Sequence, residues 1–321
     1  MKKKTDVMQT VKIKQKWTRN DTELTILAIP TFMWYILFSF LPMFGLIMAF
    51  KNYKLVPGHG FVYSILHSEW SGFKNFEFLI KSNDLFTILR NTILYNLVFI
   101  VVGMIFAVGL AIMINELYSK RKSKIYQTLM FFPYFMSWVV VTYFLDAFLN
   151  QENGLINGIL QDMGKDPVQW YMKAGAWPVI LIFMYLWKST GYNMVIYLSS
   201  ISGIDTTLYE AASIDGATKW QQVKNITLPC LKGVIIMMFI LNVGKIFYSD
   251  FGLFYQLSQG AAGSIFNTTA TIDTYVFNAL KSNTPVGMTS AVTFFQSVAC
   301  CITILAANAI VKKLDKDSAI I

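Results

Sequence analysis

Six stretches of this chain are long and apolar enough to cross a bilayer, which constrains its fold more than any other feature. They cover residues 24–50, 92–114, 125–149, 174–200, 229–248 and 288–311. A helix needs about 20 apolar residues to cross a hydrocarbon core of roughly 30 Å. In that core each backbone polar group must be satisfied inside the protein, which leaves helices or a closed barrel. Runs of this length predict an all-α integral membrane protein of six transmembrane helices. Pro30, Pro42, Pro133 and Pro178 lie within runs, and membrane helices tolerate proline where neighbours re-satisfy the freed carbonyls. The first run follows a basic segment but exceeds a signal-peptide core and has no small-residue exit, so it is expected to stay as an anchor. Only 14% of residues are charged and 55% are hydrophobic. A soluble domain has about a quarter charged residues, so one large soluble domain is excluded.

Lysine and arginine orient the spans. With the N-terminus inside, segments 1–23, 115–124, 201–228 and 312–321 hold 16 of the 27 basic residues, against 8 in the longer outer segments. Both termini are therefore expected in the cytoplasm, as tails 1–23 and 312–321 flanking a membrane domain over 24–311. The net charge of +9 is read as topology and contact with anionic lipid rather than nucleic-acid binding. Two outer stretches have apolar residues at helical spacing, Trp70, Phe73, Phe76 and Leu79 in one and Ile272, Tyr275, Val276 and Leu280 in the other. Each is expected to form a short helix at the outer interface.

Several chemistries lack their residues. The sequence has no G-x-x-x-x-G-K-[ST] phosphate loop, no H-E-x-x-H and no G-x-S-x-G. Cys230, Cys300 and Cys301 lie in apolar runs without CxxC spacing, and His59 and His67 have no matching carboxylate cluster. No metal site and no catalytic constellation is expected.

The polar break after the fourth run is patterned more tightly than a connector requires. It reads "TTLYEAASIDGATKWQQVKNITLP". A helix start is expected at Asp205 or Thr206, with Glu210 downstream as in a capping box. Leu208, Ala211 and Ala212 would form a small apolar face, and Gly216 would permit a tight turn. A second short helix through Trp220 and Val223 would end at Leu228–Pro229, with the proline in the first turn of the next helix. Asp215 either contributes to the surface or caps its own backbone. The bland alternative is a capped connector.

The full spacing Glu210-Ala211-Ala212, Gly216, Ile226, Leu228-Pro229 resembles the "EAA" loop of binding-protein-dependent ABC importer permeases. "PMFGLIMAFKNY", "WSGFKNFEFL", "FPYFMSWVVV", "WKSTGYNMVIYLSSI", "SDFGLFYQL", "TIDTYVFNAL" and "AVTFFQSV" are similar, in order, to the carbohydrate permeases of the polysaccharide type. The resemblance implies a coupling helix within 203–229, between spans four and five, that seats in a groove on an ATPase. Glu210 would reach a basic residue there, Ala211 and Ala212 would pack closely, and Gly216, Leu228 and Pro229 would shape the loop. It also implies two ATPase subunits carrying ATP and Mg, a second and usually non-identical permease, an extracytoplasmic binding lipoprotein, and a bacterial cytoplasmic membrane. The cargo would be an oligosaccharide from complex polysaccharide, and this chain would itself hold no cofactor and do no catalysis.

Embedded polar residues default to functional hypotheses. Lys188, Lys245, Asn242 and Asp146 are candidates for the substrate path, and Trp138, Tyr143 and Tyr192 are candidates to stack on sugar rings. The alternatives are a structural pair of Asp146 with Lys188 or Lys245, and aromatics that only pack. Three rivals remain at this point. A permease for another solute, such as a peptide, would keep the coupling loop. A membrane-bound glycan enzyme would need a carboxylate pair or metal site, and a scaffold would not need the EAA spacing.

Overall fold

The computed structural model describes residues 18–314; the remainder of the two tails lies outside the described residues. Two compact units divide the chain, residues 1–47 and 48–321. Among the described residues, five helices are long and apolar enough to cross a membrane: α1 (Arg19–Phe50), α2 (Leu85–Asn115), α5 (Ala174–Ser202), α7 (Lys219–Val243) and α9 (Val286–Lys313). Between α2 and α5 lie α3 (Lys120–Phe135) and α4 (Trp138–Leu149), bent by 98°. Helix α6 (Thr206–Ile214) precedes α7, and α8 (Ile272–Lys281) precedes α9.

Local chemistry sets the boundaries. Thr18 and Asp21 form a reciprocal capping box at the start of α1, satisfying donors that a helix N-terminus leaves open. Within α1 a π turn over Ile36–Phe40 directly precedes Pro42, and within α7 another over Val223–Thr227 directly precedes Pro229. A proline removes one rung of the hydrogen-bond ladder and crowds the carbonyl four residues back. The wider π turn accommodates both effects without ending the helix. At Pro133 the outcome differs. The helix tightens to 3₁₀ over Phe132–Phe135, and Ser137, in extended conformation, caps a new helix through the Val140 N–H. The third apolar run is therefore two helices at a sharp angle, which make a sixth candidate span if the bent pair counts as one.

The interior of residues 48–321 is built around α2 and α5. Gly103 lies against Tyr185 and Leu186, and Ala107 and Ala111 are fully buried beside Met194 and Leu198. Small residues of this kind let membrane helices approach closely where the hydrophobic effect gives them no drive to associate. Toward the other end of α2, Tyr95 and Phe99 pack with Val141, Leu145 and Trp177. Leu253, Phe254 and Leu257 join that cluster from the helical turn Gly252–Gln256. This part of the segment assigned to the outside thus forms a short helical turn whose side chains are part of the core.

Polar side chains on α2 bind the chain on either side of it. Asn91 Nδ2 donates to the carbonyls of Asn267 and Ala270, at 3.1 and 2.9 Å. Thr92 Oγ1 accepts the Ile272 N–H at 3.0 Å, and Asn96 Nδ2 donates to the Ile246 and Tyr248 carbonyls. These are irregular backbone groups packed against an apolar helix, and protein side chains satisfy them. The expected outer helix around 272–280 is present as α8, but it is docked, with Ile272 buried against Ile88 and Val292. The other expected stripe is divided. Trp70 sits in β2 (Glu69–Trp70), antiparallel to β1 (Lys51–Asn52), and the helix begins only at Lys74, after Gly72 at φ +57°.

Candidate coupling loop and embedded polar knot

Helix α6 is fixed at both ends by its own sequence. Asp205 Oδ1 accepts the Thr207 N–H at 3.0 Å, and this bond holds its carboxyl below the usual carboxylate range. At the other end Gly216 adopts φ +77°, the left-handed region that costs glycine least. Its N–H donates to the Ser213 carbonyl at 3.2 Å, and the Ala217 N–H donates to Ala212 at 2.9 Å. Those two bonds are a Schellman closure. Asp215 is the C-cap residue, through its backbone N–H to Ala211. Thr218 and Gln221 then form a second capping box that starts α7.

The two helices are cross-braced. Tyr209 Oη and Thr227 Oγ1 are 2.9 Å apart, and Gln222 Nε2 donates to Ser213 Oγ at 2.9 Å. Lys219 Nζ meets Glu116 Oε2 at 3.0 Å, tying the start of α7 to the end of α2. Because α7 runs unbroken from Lys219 to Val243, Leu228 and Pro229 lie inside a continuous helix rather than beginning a new one. Loop and span are thus joined by one continuous helix. Glu210 and Ala211 are exposed and Ala212 half-buried. Leu208, Ile214 and Trp220 are also exposed, Ile214 at 87%. Glu210, Ser213 and Ile214 line a groove of about 680 Å³ with Glu116, Tyr118 and Gln222. The helix is therefore braced against α7 while these apolar side chains stay exposed.

The embedded candidates do not form the pair weighed from sequence. Lys188 and Lys245 do not meet Asp146, whose carboxylate instead accepts from Asn150 Nδ2 at 3.4 Å. The physical reason is local. The break between α3 and α4 takes the Tyr134 carbonyl out of the helical ladder, and Lys188 Nζ donates to it at 2.8 Å. The same ammonium lies 5.2 Å from the ring centroids of both Tyr134 and Trp138, within cation–π range. Trp138 Nε1 donates to Asp250 Oδ2 at 2.9 Å, and Asp250 Oδ1 accepts the Leu253 N–H at 3.2 Å. Tyr192 stacks on Tyr134, with centroids 4.4 Å apart and planes 12° from parallel.

Four predicted residues thus divide into two sets. Trp138, Lys188 and Tyr192 gather at the break, while Asp146 stands apart from them on α4. Tyr143 is exposed, at 74%. Asn242 bonds its own helix through the Met238 carbonyl, and the Lys245 side chain is exposed just past the end of α7. Sequence reasoning missed Asn91, Thr92 and Asn96. The signal was available: three polar residues near the start of an otherwise apolar run.

This bundle, with a braced and exposed loop between its α5 and α7 spans, defines a membrane-embedded permease subunit. A family model described as "Binding-protein-dependent transport system inner membrane component" matches residues 100–316. The polygalacturonan/rhamnogalacturonan transport system permease protein YteP of Bacillus subtilis (strain 168) is 30% identical over 294 residues, covering 92% of this chain and 89% of that one. Protein LplB of the same organism is 29% identical over 299 residues, covering 93% and 91%. A crystal structure of a bacterial ABC transporter involved in the import of the acidic polysaccharide alginate matches at TM-score 0.81 and 29% identity, over 92% of this chain and 97% of that one. The bacterial alginate ABC transporter in complex with alginate pentasaccharide-bound periplasmic protein matches at TM-score 0.81 and 30% identity, over 93% and 96%. The chain belongs to the family of binding-protein-dependent transport system inner membrane components.

Proposed function

We infer that this chain is one of two permease subunits of an ABC importer for oligosaccharides derived from complex polysaccharide. An extracytoplasmic lipoprotein delivers the sugar, and two ATPase subunits on the cytoplasmic side hydrolyse ATP with Mg. The chain crosses the bacterial cytoplasmic membrane six times, counting the bent α3–α4 pair as one span, with both termini in the cytoplasm. The observation that supports this reading is α6: capped at both ends, braced to α7, and with Leu208, Ala211 and Ile214 exposed. Support for the cargo comes from relatives named for galacturonan and alginate transport.

Mechanically, movement of the ATPases would act on α6, and the continuous α7 would carry it into the bundle. The bundle then alternates between states open to either side, biased by nucleotide from below and by loaded binding protein from outside. The test is reconstitution of the complex with its extracytoplasmic binding lipoprotein, followed by ATP-dependent uptake of tetragalacturonate, tetramannuronate, maltotetraose and cellotetraose. Uptake of at least one of these, abolished without ATP or without the lipoprotein, is the expected result. Co-purification without any ATPase, or uptake of peptides only, would overturn it.

A further inference from the structure

Three separate stretches of sequence, "FPYFMSW", "WKSTG" and "SDFG", converge where the third apolar run breaks. Trp138 is the first residue of α4, so whatever holds its side chain holds the end of that helix. The holder is Asp250, which uses one carboxylate oxygen for the Trp138 indole and the other for the Leu253 N–H. One side chain thereby joins the break to the Gly252–Gln256 turn. Lys188, from α5, faces both rings at the break and takes up the Tyr134 carbonyl.

Two glycines remove the slack from this junction. A Cβ at Gly252 would overlap the Trp138 side chain, and one at Gly191 would overlap the Met130 carbonyl. Backbone therefore touches ring and backbone directly, and packed contacts of this kind transmit displacement instead of absorbing it. Against these fixed contacts, the Trp138–Asp250 bond is a single polar link to an exposed carboxylate. It can be exchanged for water without dismantling the core.

We propose that Trp138 and Asp250 are a positioning pair for transport: their bond sets the angle of α4 against the Gly252–Gln256 turn and so how much sugar moves per ATP hydrolysed. The proposal rests on the importer reading above. A merely structural contact would change stability and leave that ratio alone.

The experiment uses the reconstituted complex and whichever tetrasaccharide of the four the wild type imports fastest. Trp138→Phe keeps the ring beside Lys188 and Gly252 but removes the N–H. It is expected to lower sugar imported per ATP by about tenfold or more, the scale of losing a hydrogen bond to a charged group. The KM for ATP and the amount of assembled complex should stay near wild type. Asp250→Asn keeps one acceptor for two donors and should give a smaller loss of the same kind. If Trp138→Phe does not assemble, Asp250→Asn decides alone. A ratio equal to wild type in an assembled variant overturns the proposal. Wild-type complex that neither hydrolyses ATP nor imports sugar would instead overturn the importer reading on which it stands.

Discussion

Gly191 and Gly252 are positions where one added carbon meets something that cannot move far, a main-chain carbonyl in the first case and an indole in the second. Gly191→Ala is therefore expected to destabilise the protein by about 1–3 kcal/mol, the usual cost of overpacking a filled interior. Gly158→Ala, where a Cβ meets nothing within 4 Å, should cost nothing measurable; melting temperatures in detergent compare the two. The lysines separate in a similar way. Lys188 is bound to the Tyr134 carbonyl, so Lys188→Met should impair uptake of every sugar by disturbing the break. Lys245 exposes its ammonium, and Lys245→Met should lower uptake of tetragalacturonate relative to maltotetraose, by about tenfold if one ion pair with a uronate is lost. An unchanged acid-to-neutral ratio would remove Lys245 from the substrate path. At this scale the sequence was partly legible. Gly216 was readable as a turn glycine because its left-handed φ is a local demand. The partner of Lys188 was not, because that carbonyl becomes available only through a bend made elsewhere.

Helix-sized features were the most legible and their joints the least. Five of the six apolar runs are single long helices, since length and hydropathy alone decide that. The third is broken because Pro133 is followed by Met136 and Ser137 in extended backbone, whereas Pro42 and Pro229 are absorbed by π turns. All three look alike as prolines in apolar sequence, and neighbouring packing decides which outcome follows. The burial of 252–257 was hidden for a related reason: the polar groups that bind the chain on either side of it, Asn91, Thr92 and Asn96, are about 150 residues or more away along the chain. Orientation of the elements has its own test. A cysteine at Thr207, at the start of α6, should react only with a reagent applied from the cytoplasm. One at Lys165, in the segment between α4 and α5, should react only from outside. Labelling of both from one side would contradict the orientation drawn from 16 basic residues inside against 8 outside.

For the whole molecule, the proposed function puts the source of energy on one set of subunits and the conduit on another. The sequence has no phosphate loop, and the family to which the chain belongs is that of the membrane component of a larger assembly. In the function proposed above, motion enters through α6, which has a Schellman closure and side-chain bonds to α7. Glu210→Lys reverses a charge on the exposed face, and Gly216→Pro forbids φ +77° without touching the spans. The most direct measurement is therefore ATP-dependent sugar uptake by reconstituted complexes carrying either substitution, normalised to the amount of this chain in the membrane. The expected result is normal membrane insertion with uptake reduced by about tenfold or more, the range of a lost buried charge contact. Wild-type uptake in both variants would contradict the claim that α6 is where ATP hydrolysis on a partner is coupled to transport.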